Sequence, residues 1–334
     1  MSAFGFWLDI MAIIVRVGGA NTGRMVVKFS SSCLKPIKSV FNNSRIAMSV
    51  SRTRGVIFDV EAHHVVEPRI VEAAFGYVDE DGVYLPETAV CQRYDPGLPS
   101  SLGALATHHI LDHELAGMPS SDTFSLPDDV GFVIGHNVSF DLVAAGSPPE
   151  IRSIDTLVLA RKAWPELDSH TQSALFYHLH GESFESLAKA RELLRGAHSA
   201  ATDIKVCAEI LRALIEHFDE DLQDMPQIVS SQDDLPLLER LHLLSLAASV
   251  PLQMTFGQHK GLDAHRVPLD YKRWYLNLAT RDPMVAIAMT AGAGSEKDRE
   301  LYLLAQAVFG EGAVPEAQVQ VDRPMQPGSF TFGR

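Results

Sequence analysis

The sequence predicts an α/β domain built on a mixed β-sheet flanked by helices, followed by a small C-terminal helical module. Three patterns carry this expectation. Three strand-like runs follow one another between residues 55 and 94, strand and helix patterns then alternate, and a long amphipathic stretch over 200–218 closes the domain before an acidic segment.

The elements follow in order. "GVIFDV" (55–60) is an apolar strand, "RIVEAAFGYV" (69–78) a second, "DEDG" a turn, and "VYLPETAVCQRY" (83–94) a third, so the domain opens as a meander. "GFVIGHN" (131–137) reads as a buried strand running into a helix for which Ser139 is a suitable N-cap. "IRSID" is a short strand leading into the helix "TLVLARKAWPE". "AATDIKVCAEILRALIEHF" (200–218) has apolar residues at three- and four-residue steps and predicts a long helix.

These patterns divide the chain into a basic N-terminal extension (1–50), a domain over 52–218, an acidic linker (219–235), a small module (236–305) and a disordered tail (306–334). The first 47 residues read as a start-site extension or loose leader, with an N-terminal helix as the alternative. "GGANTGRM" spaces Gly18 and Gly23 as a phosphate-binding loop does, but Arg24 and Met25 stand where Lys and Ser/Thr are needed. The opening apolar stretch is interrupted by Asp9 and is too short to span a bilayer. It also lacks the basic start and small-residue cleavage site of a signal peptide, so no membrane partner is expected.

The net charge of −14 argues against passive coating of nucleic acid, which needs a basic surface. Residues 1–54 hold eight Lys/Arg against Asp9, a balance of +7 that leaves −21 for the remainder. Acidity concentrated in a carboxylate site is compatible with cation-assisted chemistry on phosphates, because a bound cation offsets it. Three cysteines (Cys33, Cys91, Cys207) without CxxC spacing give no zinc motif or disulfide framework, and fit a reducing cytoplasm.

Asp59 and Glu61 end the first strand. Residues two apart in a strand share a face, roughly 6.5 Å apart, so the pair projects together; a solvated strand end reads the same way. In "GHNVSFD" (135–141), Asp141 falls in the first turn of a helix, where the dipole favours it. A well-capped helix start explains Asp141, but not His136 and Asn137 against an apolar strand. In "HSAATD", His198 stands at or before a helix start and Asp203 faces inward one turn later. A histidine near a helix end is commonly structural; one beside a carboxylate cluster has the geometry of a general base.

Four carboxylates are hard oxygen ligands suited to magnesium or manganese, and can hold two ions roughly 3.5–4 Å apart. "FDVE", "GHNVSFD" and "HSAATD", in order and spacing, resemble the three motifs of the DEDDh (DnaQ-like) 3′–5′ exonuclease superfamily, over about residues 55–215. Ser199 occupies the position at which the related DEDDy class has tyrosine. The resemblance implies a ribonuclease H-like fold. It also implies that Asp59, Glu61, Asp141 and Asp203 bind two Mg2+ ions, for which Mn2+ can substitute, and that His198 is the general base. Val60, Ala62, His63, His64, His136, Asn137 and Phe140 are the corresponding substrate-binding candidates. "AHH" departs from the family's Thr-rich segment after the first acidic pair, which meets the 3′-terminal nucleotide. "RIVEAA" fits the family's second strand.

"HHILDHELAGMP" (108–119), "IDTLVLARKAWPE" and "MTFGQHKGLDAHRVPLDYKRWYLNL" (254–278) resemble the exodeoxyribonuclease X group. The expected activity is 3′–5′ hydrolysis of DNA, releasing nucleoside 5′-monophosphates, in repair or degradation. The expected partner is DNA with single-stranded or duplex 3′ ends. RNA trimming, proofreading beside a polymerase, a repair complex and a homodimer are the alternatives within the family; a regulatory protein that has lost catalysis lies outside it. Unneutralised, four converging carboxylates repel one another, and a chain freed of catalysis has no physical reason to retain them.

Within 254–278, "DYKRWYLNL" predicts an amphipathic helix with Trp274 inward, and Gly257 and Gly261 suit a tight turn that exposes Lys260. His109 and His113, at a four-residue step around Asp112, faintly echo a zinc protease pattern, without its glutamate or third ligand.

Overall fold

The structure, a computed structural model, describes residues 53–148, 150–228 and 235–310. The expected N-terminal extension and all but the first residues of the expected tail lie outside them. The strands are β1 (Arg54–Ala62), β2 (Ile70–Val78), β3 (Val90–Arg93), β4 (Val130–Gly135) and β5 (Arg152–Asp155). The helices of the sheet domain are α1 (Leu102–His108), α2 (Asp112–Leu115), α3 (Val138–Ala144), α4 (Thr156–Ala163), α5 (Gln172–Leu179), α6 (Phe184–Leu194) and α7 (Ala200–His217). Beyond them come α8 (Asp219–Ile228), α9 (Leu237–Ala248), α10 (Leu269–Leu276), α11 (Pro283–Thr290) and α12 (Glu296–Phe309).

The five strands form one sheet in the order β3-β2-β1-β4-β5. β1 pairs antiparallel with β2 and parallel with β4, while β4 and β5 are parallel. Helices flank this mixed sheet in a ribonuclease H-like α/β fold. β4 is buried at every residue and β1 at most of its residues, so both read as near-continuous apolar runs.

Alternation along β1 separates two apolar clusters. Val56, Phe58 and Val60 pack with Val133 and Val138 on one face, and Ile57 packs on the other with Ile134, Ile204, Leu211 and Leu214. Asp59 and Glu61 keep the period of Ile57, so both point to the face crossed by α7. α7 meets the sheet through a stripe of Ile204, Cys207, Ile210, Leu211 and Leu214, all buried. Removing one such leucine costs about 2–5 kcal/mol.

The third strand is shorter than its pattern. Tyr84 makes one isolated bridge to Val78, a 3-10 turn occupies Pro86–Thr88, and β3 begins at Val90. Pro86 lacks an N–H and fixes φ, which interrupts the ladder.

The first ten residues of the expected acidic linker form α8. Leu222 and Met225, three apart, are buried beneath it, and Arg240 Nη1 donates to the Leu222 carbonyl at 2.9 Å. α9 then locks onto β5. Asp155 N–H donates to Ser245 Oγ at 2.9 Å, His242 Nδ1 donates to the Ser153 carbonyl at 2.7 Å, and Arg152 pairs with Glu239. One apolar cluster continues from Ile134 and Leu211 through Leu241 to Met289 and Leu304. α12 runs to Phe309, so residues 306–309 of the expected tail are helical.

Two expectations are corrected by packing. Trp274 is 53% exposed, and Tyr275 takes the inward position on α10, its hydroxyl receiving the Asp282 N–H at 3.0 Å. His109 is the left-handed C-cap of α1 (φ 57°), whereas His113 lies on α2, so the two do not share a helical face. Among the described residues no helix is long and apolar enough to cross a membrane.

Candidate active site

Three elements meet at the carboxyl end of β1. β1 carries Asp59 and Glu61, α3 carries Asp141 and α7 carries Asp203 in its first turn. Asp141 is 4% exposed, and its Oδ1 accepts the Val60 N–H at 3.1 Å, so the backbone between the two strand carboxylates anchors a third. α3 starts two residues earlier than expected. Asn137, left-handed at φ 69°, is its N-cap in place of Ser139 and makes no side-chain capping bond. The Asn137 N–H instead donates to Asp155 Oδ1 at 3.0 Å, which also accepts the Leu157 N–H and so joins the starts of α3 and α4.

His198 sits just before α7, also left-handed at φ 64°, and its backbone N–H donates to Asp203 Oδ2 at 3.1 Å. That bond turns the Asp203 carboxylate toward the histidine. Glu61, His198 and Asp203 each bring one ligand atom, all within 4.8 Å of one another. The His198 side chain is exposed, open to water and to a ligand.

Asp59, Glu61, Asp141, His198 and Asp203 all line one cleft of about 750 Å³. Burial, with repulsion from Asp203 and Glu72, pushes the Asp59 carboxyl up to about 8. Burial, with repulsion from Asp59, Asp203 and Glu72, pushes Glu61 up to about 9. Asp203 rises to about 6 through burial, moderated by His198. Asp141 is raised by burial and by Asp59. These are carboxylates confined without enough positive charge.

Of the substrate-contact candidates, Val60, His136, Asn137 and Phe140 line the cleft. Ala62, His63 and His64 are not part of its lining. His63 is buried, its Nδ1 accepting the Arg69 N–H at 3.1 Å, and His64 Nδ1 accepts the Val66 N–H at 2.8 Å. His136 is held between Thr156 Oγ1 (2.9 Å) and the His170 carbonyl (2.8 Å), and burial lowers its pKa. A neutral ring with both nitrogens engaged ties β4 to α4 and to the loop after it.

No family model and no curated protein matches this chain. Among solved structures, exonuclease X in complex with 5′-overhanging duplex DNA is 23% identical, with a TM-score of 0.36 over 48% of this chain and 91% of that one. The zinc-bound E. coli ExoI–ssDNA complex is 16% identical, with a TM-score of 0.38 over 52% of this chain and 44% of that one. Another structure of exonuclease I is 16% identical, with a TM-score of 0.39 and the same coverage. All three of these structures are of exonucleases by name.

The donor set itself fits a hard divalent cation. It offers carboxylate oxygens from three elements and one imidazole, and no lysine or arginine among the described residues forms an ion pair with any of the four carboxylates. Their raised pKa values mark the charge a cation offsets.

Two further residues bear on the site. Glu72, on β2 directly opposite Glu61, is 6% exposed. Its Oε2 accepts the Ala200 N–H at 3.0 Å and the Ser199 hydroxyl at 3.3 Å, and its Oε1 accepts from Arg93 Nε at 3.3 Å. It thereby caps the helix carrying Asp203, on the dipole's positive end. Arg161, exposed on α4, also lines the cleft and forms no ion pair among the described residues. "RIVEAA" contains Glu72 and "ARKA" contains Arg161, but neither pattern states what the residue faces.

Proposed function

We propose that this chain is a metal-dependent 3′–5′ exonuclease that hydrolyses the terminal phosphodiester of DNA and releases nucleoside 5′-monophosphates. One observation carries the reading: Asp59, Glu61, Asp141 and Asp203, from three separate elements, converge in one cleft with His198 at its open side. The sequence motifs agree with it.

In this reading Asp59, Glu61, Asp141 and Asp203 hold two Mg2+ ions. Bound there, magnesium supplies positive charge opposite the charge that develops on the phosphate oxygens. His198 accepts the proton of the attacking water, and its exposure lets that proton pass to solvent. Asp203 orients His198 through the backbone bond that turns one toward the other. Val60 N–H fixes Asp141 in the lining of the cleft. Asn137 and Phe140 border the space for the 3′-terminal nucleotide, and Arg161 faces a phosphate from the rim.

The test is incubation of 3′-labelled single-stranded DNA, duplex DNA and RNA with Mg2+, with EDTA and Asp141→Ala as controls. The reading predicts mononucleotide release from DNA, abolished by both controls. Release from none of the three contradicts it, and preference for RNA moves the substrate to the RNA-trimming alternative.

A further inference from the structure

The C-terminal module gathers aromatic rings and cations on a face separate in sequence from the carboxylates. Residues 252–264 close a hairpin: Met254 N–H donates to the Leu262 carbonyl, Gly261 N–H to Met254 and Ala264 N–H to Leu252, each at 2.8 Å. Gly257 (φ 70°) and Gly261 (φ 85°) make its tip, a backbone that side chains disfavour. A Cβ on Gly257 would stand 2.7 Å from the Tyr271 hydroxyl, so the tip lies directly against α10.

The rings form a connected set. His259 and Tyr271 meet edge to face at 4.6 Å, and Tyr271 and Trp274 are tilted at 5.1 Å. Phe256 lies 5.8 Å from Tyr275. Burial does not account for two of them: Trp274 is 53% exposed and Phe256 38%. Two cations neighbour these rings along the chain. Lys260 follows His259 at the tip and Arg273 precedes Trp274; both are exposed and form no ion pair among the described residues. Their neighbours are already engaged: Arg266 pairs with Asp263 at 3.2 Å, and the Lys272 ammonium donates to the His265 carbonyl. Residues 251–290 carry five Lys/Arg against three Asp, a balance of +2 in a chain of −14.

Exposed rings beside unpaired cations match a ligand with flat π-faces strung along an anionic backbone. A duplex hides its base faces, and an acidic protein would satisfy the cations but leave the rings unused. We propose that the hairpin tip and α10 form a binding face for single-stranded DNA, with Trp274 and Phe256 stacking on bases and Lys260 and Arg273 contacting phosphates. The choice of DNA over RNA rests on the nuclease reading above; the ring-and-cation chemistry does not.

The experiment uses the full chain in EDTA, so that nothing is cleaved, and follows fluorescein-labelled oligothymidylate by anisotropy. Lys260→Ala/Trp274→Ala is expected to weaken binding about tenfold or more, while Trp274→Phe stays within about twofold of wild type. Lys260→Glu/Arg273→Glu, which touches only exposed side chains, is expected to weaken binding at least as much, with an unchanged thermal midpoint. Unchanged affinity in both double variants overturns the proposal. An equal loss on blunt duplex overturns the stacking role, and tighter binding of oligouridylate overturns the DNA assignment. Because binding is read without metal, failure of the nuclease reading shows separately as absence of Mg2+-dependent release.

Discussion

The Glu72 carboxylate accepts the backbone N–H of Ala200 at 3.0 Å, joining the strand beside Glu61 to the helix that carries Asp203. The strand side and the helix side of the carboxylate cluster thus hang on one buried side chain, which Arg93 in turn holds at 3.3 Å. Glu72→Ala removes the helix cap and leaves the Ala200 N–H without its acceptor, at a cost of about 1–3 kcal/mol. Glu72→Gln keeps an acceptor oxygen and should retain most of that stability in chemical denaturation. A positioning role further predicts that Glu72→Ala weakens Mg2+ binding measured by calorimetry and that Glu72→Gln restores it. Equal Mg2+ affinity in all three proteins contradicts that role.

Asp141 separates two jobs in one carboxyl group. Asp141→Asn still accepts the Val60 N–H through its amide oxygen, so it is expected to fold with a near wild-type midpoint and yet release no nucleotide. Asp141→Ala leaves that buried N–H unpaired and should lose about 1–3 kcal/mol as well. Thermal melts of the two variants side by side check this, and identical midpoints contradict it.

The crowded carboxylates set a pH dependence. Asp59, Glu61 and Asp203 are raised in the folded chain to about 8, 9 and 6, from 3.8, 4.5 and 3.8. A raised carboxyl favours the protonated form in the fold. Its stabilisation is therefore complete below about pH 4 and is lost as pH climbs through the folded values toward 9. In EDTA the melting temperature should fall between about pH 5 and 9, and added Mg2+ should raise it more at the upper end than at the lower. A Mg2+ effect that shrinks as pH rises contradicts the account.

Arg161 offers an exposed cation at the rim of an otherwise acidic cleft. Its replacement by alanine should leave the fold intact and weaken substrate binding, raising KM about tenfold with a smaller change in kcat. Steady-state kinetics on single-stranded DNA measures the split; an unchanged KM removes Arg161 from the substrate path.

The carboxylate set was legible in the sequence because each member ends or begins an element whose period is clear. Asp59 and Glu61 close an apolar strand, Asp141 opens a helix after a buried one, and Asp203 starts an 18-residue amphipathic helix. Glu72 was not, since its partners at 199 and 200 are reached only when β2 packs beneath α7. The surroundings of "AHH" were hidden for a related reason: the Arg69 N–H that the buried His63 ring accepts lies six residues on and meets it only when the chain turns from β1 into β2. The amphipathic pattern of "DYKRWYLNL" points Trp274 inward, but Tyr275 is the buried ring and its hydroxyl accepts the Asp282 N–H, while the indole stays outside. Leu222 and Met225 lay hidden in an acidic run whose charges dominated its composition.

The most direct test of the central claim follows 5′-labelled single-stranded DNA on a sequencing gel, with wild type and Asp141→Asn in parallel, in Mg2+ and in EDTA. The account predicts a ladder shortening from the 3′ end with nucleoside 5′-monophosphate as product, seen only with wild type in Mg2+. No shortening, or shortening that persists in EDTA or in Asp141→Asn, contradicts it.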